Sequence, residues 1–275
     1  MKFLTFDIED YHHLLDLPGI EGQYVQSQSV VGDFVDELLP LLREHSITAI
    51  FFVLGEIADQ FPSAVKKIAD EGHVIGTHSF AHKMLSEQSD EEFMDDLLSS
   101  IKVIESVSGV DVRCYRAPGF SMTSDHFHRY SLLAKAGIRF DFSLFDGKAS
   151  HGGVEISGRD LPIRFDTDAG QITSFPFMRS KVFSSSLPLM GGGYFRITPY
   201  TLVQKVVRES EYAMTYFHPR DFSYYQPRLK GLSPVRYFKA YAGIKGGLRK
   251  LQKLIASDEW AGGSFIQMEL KKCTN

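Results

Sequence analysis

The chain has 275 residues, 43% hydrophobic and 13% aromatic, which suffices for one large buried core or two small ones and excludes disordered and fibrous classes. Its formal net charge is −4, and its lysines and arginines are spread along the sequence, which argues against a dedicated nucleic-acid surface and favours a small polar or neutral substrate. Two cysteines, Cys114 and Cys273, are too few for a disulfide framework; the start Met1-Lys2-Phe3-Leu4-Thr5-Phe6-Asp7 turns acidic too soon for a signal peptide, and no apolar run reaches membrane-spanning length, so the expectation is a soluble, reduced, cytoplasmic protein.

In chain order, short apolar runs rich in β-formers alternate with longer stretches of helical periodicity. The run Phe3–Ile8 precedes a helical pattern over Val31–Glu44, and Thr48–Leu54 precedes one over Ile57–Glu71. His73–Thr77 leads to Asp90–Ser106, and Val112–Arg116 leads to Thr123–Ala136. Arg139–Leu144, Ile172–Phe177 and Ala213–Phe217 bring the strands to seven. Glycines at 72, 109 and 137 stand where helices should stop. Repeated βα units around a parallel sheet predict an α/β barrel of about seven strands. Residues 145–196, with Gly152-Gly153 and Gly191-Gly192-Gly193, are expected to form long loops around one short strand. No repeat or linker marks a boundary, so residues 1–275 are expected to form a single catalytic domain with a C-terminal helical extension at about 232–256. Residues 235–255 mix basic and apolar residues at helical spacing; a helix packed on the barrel is the favoured reading, and contact with an anionic membrane or a lipid-linked substrate is the other.

In such a barrel the chemistry sits where strands run out into loops at the carboxyl-terminal face. The first strand ends in Asp7-Ile8-Glu9-Asp10, the third in His78-Ser79-Phe80-Ala81-His82, and the fourth in Arg116-Ala117-Pro118-Gly119. The fifth carries Asp141, and the seventh ends in His218-Pro219. A histidine pair at this spacing arises by chance in many chains; acids, histidines and an arginine converging on one predicted face raise its weight. A divalent metal held by two imidazoles and one carboxylate keeps positions open for water and a carbonyl oxygen, and a second carboxylate can take the water proton. Strand alternation puts Asp7 and Glu9 on one side and Ile8 on the other, which makes the two acids natural partners. Arg116 can anchor a base carboxylate through a bidentate contact, although an arginine before a Pro-Gly turn also serves as a plain surface ion pair. Gly191–Gly193 with Tyr194 reads equally as a substrate-side loop or an ordinary turn. His12, His13 and His73 are treated as structural or loop residues.

The segments Thr5-Phe6-Asp7-Ile8-Glu9-Asp10, His78-Ser79-Phe80-Ala81-His82, Arg116-Ala117-Pro118-Gly119, the stretch around Asp141, and Tyr216-Phe217-His218-Pro219 resemble the five ordered motifs of the polysaccharide deacetylases. This is carbohydrate esterase family four, with the NodB homology domain and a distorted (β/α)7 barrel; the resemblance spans residues 1 to about 222. Phe6–Tyr11, Gly191–Arg196 and His218–Phe222 further resemble a subgroup associated with exopolysaccharide and surface-glycan biosynthesis. The resemblance implies that Asp7 is the general base, that His78 and His82 bind the metal, that Arg116 steadies Asp7, and that His218 is the general acid tuned by Asp141. Ile8 stands where the common pattern has a second, metal-binding aspartate; some relatives use the acid two positions on, which is Glu9 here, with Asp10 a rival ligand. A backbone amide near Gly119 is expected to help hold the oxyanion.

The expected activity is thus hydrolysis of the N-acetyl group of an amino sugar with one divalent metal, zinc by expectation, on a nucleotide- or lipid-linked saccharide. Two alternatives remain: hydrolysis of a cyclic imide or ureide amide on the same fold, and a metal-free glycan-binding domain.

Overall fold

The computed structural model describes residues 1–13, 29–149, 151–156, 160–182, 185–226, 228, 230–257 and 260–273. Its first strand comes in two pieces, β1 (Lys2–Phe3) and β2 (Thr5–Ile8), followed by α1 (Val31–Glu44) and β3 (Ile50–Val53). Helix α1 buries Val31, Phe34, Val35, Leu38, Leu39 and Leu42 at helical spacing. Full burial of one such side chain is worth about 1.5–3 kcal/mol, so this stripe presses the helix against the sheet.

The helix expected over Ile57–Glu71 is two helices, α2 (Gly55–Gln60) and α3 (Pro62–Asp70). Pro62 lacks the N–H that a continuous helix needs and instead takes the first turn of α3. Next come β4 (Val74–Thr77) and α4 (Asp90–Ser108). Ser89 caps α4: its Oγ accepts from Glu92 N at 3.2 Å and its own N–H donates to Glu92 at 2.8 Å. Gly109, at φ +75°, ends it in the left-handed conformation that side chains avoid.

Strands β5 (Cys114–Tyr115) and β6 (Phe140–Asp141) flank α5 (Arg129–Lys135). The stretch expected to be loops holds more regular structure: β7 (Ile163–Thr167) and β8 (Gly170–Ser174) form one antiparallel hairpin, β9 (Ser180–Val182) and β10 (Ser185–Leu187) another, and α6 (Gly192–Ile197) begins inside the glycine run. These strands are short and largely polar, which hides their alternation in the sequence. Helix α7 (Tyr200–Glu209), β11 (Ala213–Met214), α8 (Pro234–Tyr241), α9 (Ile244–Ile255) and α10 (Gly262–Cys273) complete the chain.

The main sheet runs β2-β3-β4-β5-β6-β8-β7, parallel as far as β8. Strand β11 pairs in parallel with β1, and the bridge between Phe6 and Phe217 continues this contact, so the first strand lies between β3 and the returning 213–217 segment. This is the barrel of about seven strands read from the apolar runs, each of which overlaps a strand, in the distorted (β/α)7 form that the family resemblance implied. Parallel order turns the carboxyl-terminal ends of the parallel strands to one rim, which gathers residues 7–10, 78–82, 116–120 and 218–221.

Candidate active site

Asp7 and Glu9 both line a cavity of about 590 Å³ at this rim, while Ile8 between them is packed into the core. Glu9, His78 and His82 each offer one ligand atom, and these atoms lie within 4.8 Å of one another, all three residues buried. His78 Nδ1 lies 2.8 Å from the Arg116 carbonyl oxygen. A carbonyl only accepts, so Nδ1 carries the proton and Nε2 is left with its lone pair for the cavity. Burial, with the nearby His82, pushes the His78 imidazole down to about 4 despite Asp7 and Glu9, so it stays neutral, the form a metal requires.

Glu9 Oε2 sits 2.7 Å from His82 Nε2, yet it is a buried oxygen without an aligned hydrogen-bond donor. Two donor atoms crowded in this way, neither satisfying the other, suit a shared cation better than a hydrogen bond. Although burial alone would raise the Glu9 pKa, His82, His218 and Arg220 hold it well below the usual carboxylate range. The residues present therefore fit a divalent metal. Asp10 is engaged elsewhere: its Oδ1 accepts from Tyr11 N at 2.8 Å.

The loop carrying the two histidines bends sharply, with Ser79 at φ +67° and His82 at φ +56°, a region non-glycine residues seldom occupy. Asp96 of α4 holds it by accepting from Phe80 N at 2.8 Å and Ala81 N at 3.1 Å, and Ser100 Oγ donates to Ser79 O at 2.9 Å. Sequence reasoning passed over Asp96, which lies within a plain amphipathic helix.

Arg116 is fully buried and donates from Nη1 to Asp7 Oδ1 at 2.6 Å, while its Nε donates to Phe142 O at 3.2 Å and its guanidinium lies 4.2 Å from the Phe52 ring centre. That leaves Asp7 Oδ2 turned toward His218, whose Nε2 is 3.8 Å away and also 3.7 Å from Glu9 Oε1.

The expected partner of His218 requires correction. His218 Nδ1 lies 2.9 Å from Asp221 Oδ2, which also accepts the His218 backbone N–H at 3.0 Å. Asp141 is fully buried behind the strand ends, where it accepts from Tyr130 at 3.0 Å, Ser174 at 2.6 Å and Ser143 N at 3.1 Å. These partners consume its oxygens, and it does not line the cavity. Asp221 in turn is 3.1 Å from Arg196 Nη1; burial opposes its charge, but Arg196 and His218 hold its pKa far below the carboxylate range. Burial lowers the His218 pKa, and Glu9 and Asp221 together outweigh it, so the net shift is upward. Asp141→Asn is accordingly expected to cost about 1–3 kcal/mol in stability by leaving buried donors unsatisfied, with the pH profile of activity unmoved; thermal melts and a pH-rate curve check both halves.

The glycine run opens α6, and Tyr194 beside it lines the cavity, on the side where the substrate-loop reading put it. A Cβ on Gly191 would lie 2.2 Å from the Tyr216 ring, and one on Gly192 would lie 1.9 Å from Asp221, so both glycines let backbone pass against the residues that orient His218. Gly119 lines the cavity, as do Tyr194, Tyr216, Arg220 and Lys239. His13, read as structural, also reaches it, its ring centre 5.9 Å from that of His82 and its Nδ1 accepting from Asp10 N. The His12 side chain lies outside the described residues. His73 packs against Phe51 away from the cavity, and burial pushes its imidazole down to about 4.

Comparison with known proteins bears on the family and the fold. A family model for polysaccharide deacetylase matches residues 3–140, and a second, for a domain of unknown function (DUF3473), matches residues 143–265. The chain is 35% identical over 86 residues to a peptidoglycan-N-acetylglucosamine deacetylase of Bacillus cereus, covering 31% of each. It is 39% identical over 79 residues to a chitooligosaccharide deacetylase of Azorhizobium caulinodans, covering 28% of this chain and 38% of that one. The match thus spans about a third of these curated relatives. A solved structure from Mycobacterium smegmatis, assigned to the polysaccharide deacetylases, superposes with a TM-score of 0.65 at 21% identity, covering 99% of this chain and 90% of that one. A peptidoglycan N-acetylglucosamine deacetylase structure superposes with a TM-score of 0.51 at 16% identity, covering 93% and 79%; both likenesses concern the fold. With strand-end acids, paired histidines and a buried arginine gathered on a barrel of this kind, and with half the chain matched by the family model, the chain belongs to the polysaccharide deacetylase family.

Proposed function

We propose that the chain is a metal-dependent hydrolase that removes the N-acetyl group from an amino sugar and releases acetate. One observation carries this reading: the buried set Glu9, His78 and His82 opens onto the same cavity as Asp7 and His218, two groups able to move protons. Glu9, His78 and His82 would hold one divalent ion, and a mixed set of two imidazoles and one carboxylate suits zinc. When bound, the ion supplies an acidified water and polarises the acetyl carbonyl. Arg116 fixes one oxygen of Asp7 and leaves the other to accept the water proton. His218, with Nδ1 tied to Asp221, presents Nε2 to the departing nitrogen, and a backbone amide near Gly119 helps hold the oxyanion. N-acetyl is favoured over O-acetyl because an amine leaves poorly unless a positioned acid protonates it.

A glycan-biosynthesis intermediate, nucleotide- or lipid-linked, is the substrate class we favour. Support comes from the cations Lys148, Arg179, Arg220 and Lys239 lining the cavity, which suit a phosphate-bearing saccharide. Acetate release from N-acetylated chitooligosaccharides and nucleotide-linked N-acetyl sugars should be measured with metal-stripped and metal-reloaded protein. Metal-dependent release supports the reading. Turnover of cyclic imides alone would transfer the chain to that rival chemistry, and absence of bound metal with saccharide binding intact would favour a glycan-binding domain.

The ligand set has its own test. His78→Ala with His82→Ala, and separately Glu9→Ala, are expected to fold but to lose most bound metal, since a site with three protein ligands tolerates no missing donor. Asp10→Ala should keep its metal. Elemental analysis of the purified variants decides; an empty site in Asp10→Ala with a full one in Glu9→Ala exchanges the two roles.

A further inference from the structure

Between Phe222 and Ser257 the sequence carries eight cations, Arg228, Lys230, Arg236, Lys239, Lys245, Arg249, Lys250 and Lys253, and no acid, within a chain of net charge −4. The same stretch exposes large apolar and aromatic side chains: Val235 is 64% exposed, Phe238 58% and Tyr225 91%. These groups are connected. The rings of Tyr224 and Tyr225 are 5.8 Å apart, those of Tyr237 and Tyr241 are 4.8 Å apart, and the Arg228 guanidinium bridges them, 6.0 Å from the Tyr224 ring and 4.4 Å from that of Tyr241. Exposed aromatics interleaved with lysine and arginine, in a stretch of sequence that carries no acid, have the composition of a surface that settles at a lipid headgroup boundary. No helix among the described residues is long and apolar enough to cross a membrane.

The position of this patch adds a functional argument. Helix α8 is fastened to the active site: Arg196, which pairs with Asp221, also donates from Nη2 to Lys239 O at 2.7 Å. Lys239 itself lines the cavity. A surface that seats α8 at headgroup level therefore holds the cavity mouth beside it.

We propose that Tyr224, Tyr225 and α8, with the cations of α9, dock this protein on an anionic lipid surface and bring the cavity to a saccharide carried on a lipid. The docking stands on the exposed patch alone; the lipid-linked substrate rests on the deacetylase reading. An acidic protein or a second copy of the chain would find the same charge, but the exposed Tyr224, Tyr225 and Tyr237, with Val235 and Phe238 exposed on the same short helix as Tyr237, favour a bilayer.

Vesicle co-sedimentation tests it, using the full chain with phosphatidylcholine vesicles and with vesicles containing about one-third phosphatidylglycerol. Binding is expected to the anionic vesicles only and to weaken with salt. Neutralising exposed cations with Lys245→Gln and Arg249→Gln should lower the partition coefficient about fivefold each. Val235→Ser with Phe238→Ser should lower it at least as much by removing the inserted groups. These variants should keep the wild-type melting temperature and bound metal, and the same acetate release from a soluble chitooligosaccharide where wild type shows any. Absence of vesicle binding, or binding that these variants leave unchanged, overturns the proposal. Sedimentation showing a dimer that Phe238→Ser dissociates, without vesicle binding, assigns the patch to a second copy instead. Because vesicle binding needs no turnover, it survives failure of the deacetylase reading.

Discussion

His218→Ala is expected to lower kcat by about 10²- to 10⁴-fold while leaving bound metal unchanged, because a positioned acid is worth that much to a leaving group that departs poorly unprotonated. The imidazole can act this way because Asp221 takes its Nδ1 at 2.9 Å and leaves Nε2 for the cavity. An activated aryl acetate, whose leaving group needs little protonation, should show a much smaller defect. Equal losses on both substrates would mean that His218 shapes the pocket or holds the oxyanion. Asp221→Asn refines the test. Glu9 and Asp221 raise the His218 pKa against burial, and the acid works only while protonated, so activity falls as pH rises through that pKa. Removing the Asp221 charge lowers the pKa, and the alkaline limb should move to lower pH with kcat less affected than in His218→Ala. A limb that stays in place would show that Asp221 only caps the turn. Arg196 loses its carboxylate partner in this variant, so its melting temperature must be recorded alongside.

Much of this site could be read from the sequence because it depends on strand ends. Side chains alternate across a strand, so Asp7 and Glu9 were certain to share a side, and a parallel barrel was certain to gather the ends of its strands at one rim. Which acid serves which histidine depends instead on loop geometry. Asp141, at the end of β6, was the partner of His218 that the family resemblance implied, but strand register turns it inward to Ser174 and Tyr130. Its replacement was legible in principle: in His218-Pro219-Arg220-Asp221, His218 caps a helical turn with proline at its first position and an acid at its third, and that acid folds back to accept the His218 N–H. The role of Gly191 and Gly192 was not legible, since nothing local shows that Tyr216 and Asp221 will pass within van der Waals reach. Nor was Asp96, whose work is to support the loop of another element.

Asp7→Asn is expected to retain metal and lose turnover by about 10²- to 10⁴-fold, since the amide keeps the shape of the carboxylate but cannot take a proton. Arg116 is the group that makes this carboxylate tolerable in the interior: the pair is buried on both sides and joined at 2.6 Å. Removing one partner of a buried pair leaves an uncompensated charge and typically costs about 3–5 kcal/mol, so Arg116→Met should be strongly destabilised as well as inactive. The guanidinium also bonds Phe142 O and stacks on Phe52, and part of the loss belongs to those contacts. Combining Arg116→Met with Asp7→Asn removes the stranded charge, so the double variant should be more stable than the sum of the single losses predicts. Denaturant unfolding of the four proteins measures that coupling. Strictly additive losses would show that Arg116 serves the core through Phe52 and Phe142 alone, and that Asp7 is positioned by something other than its arginine.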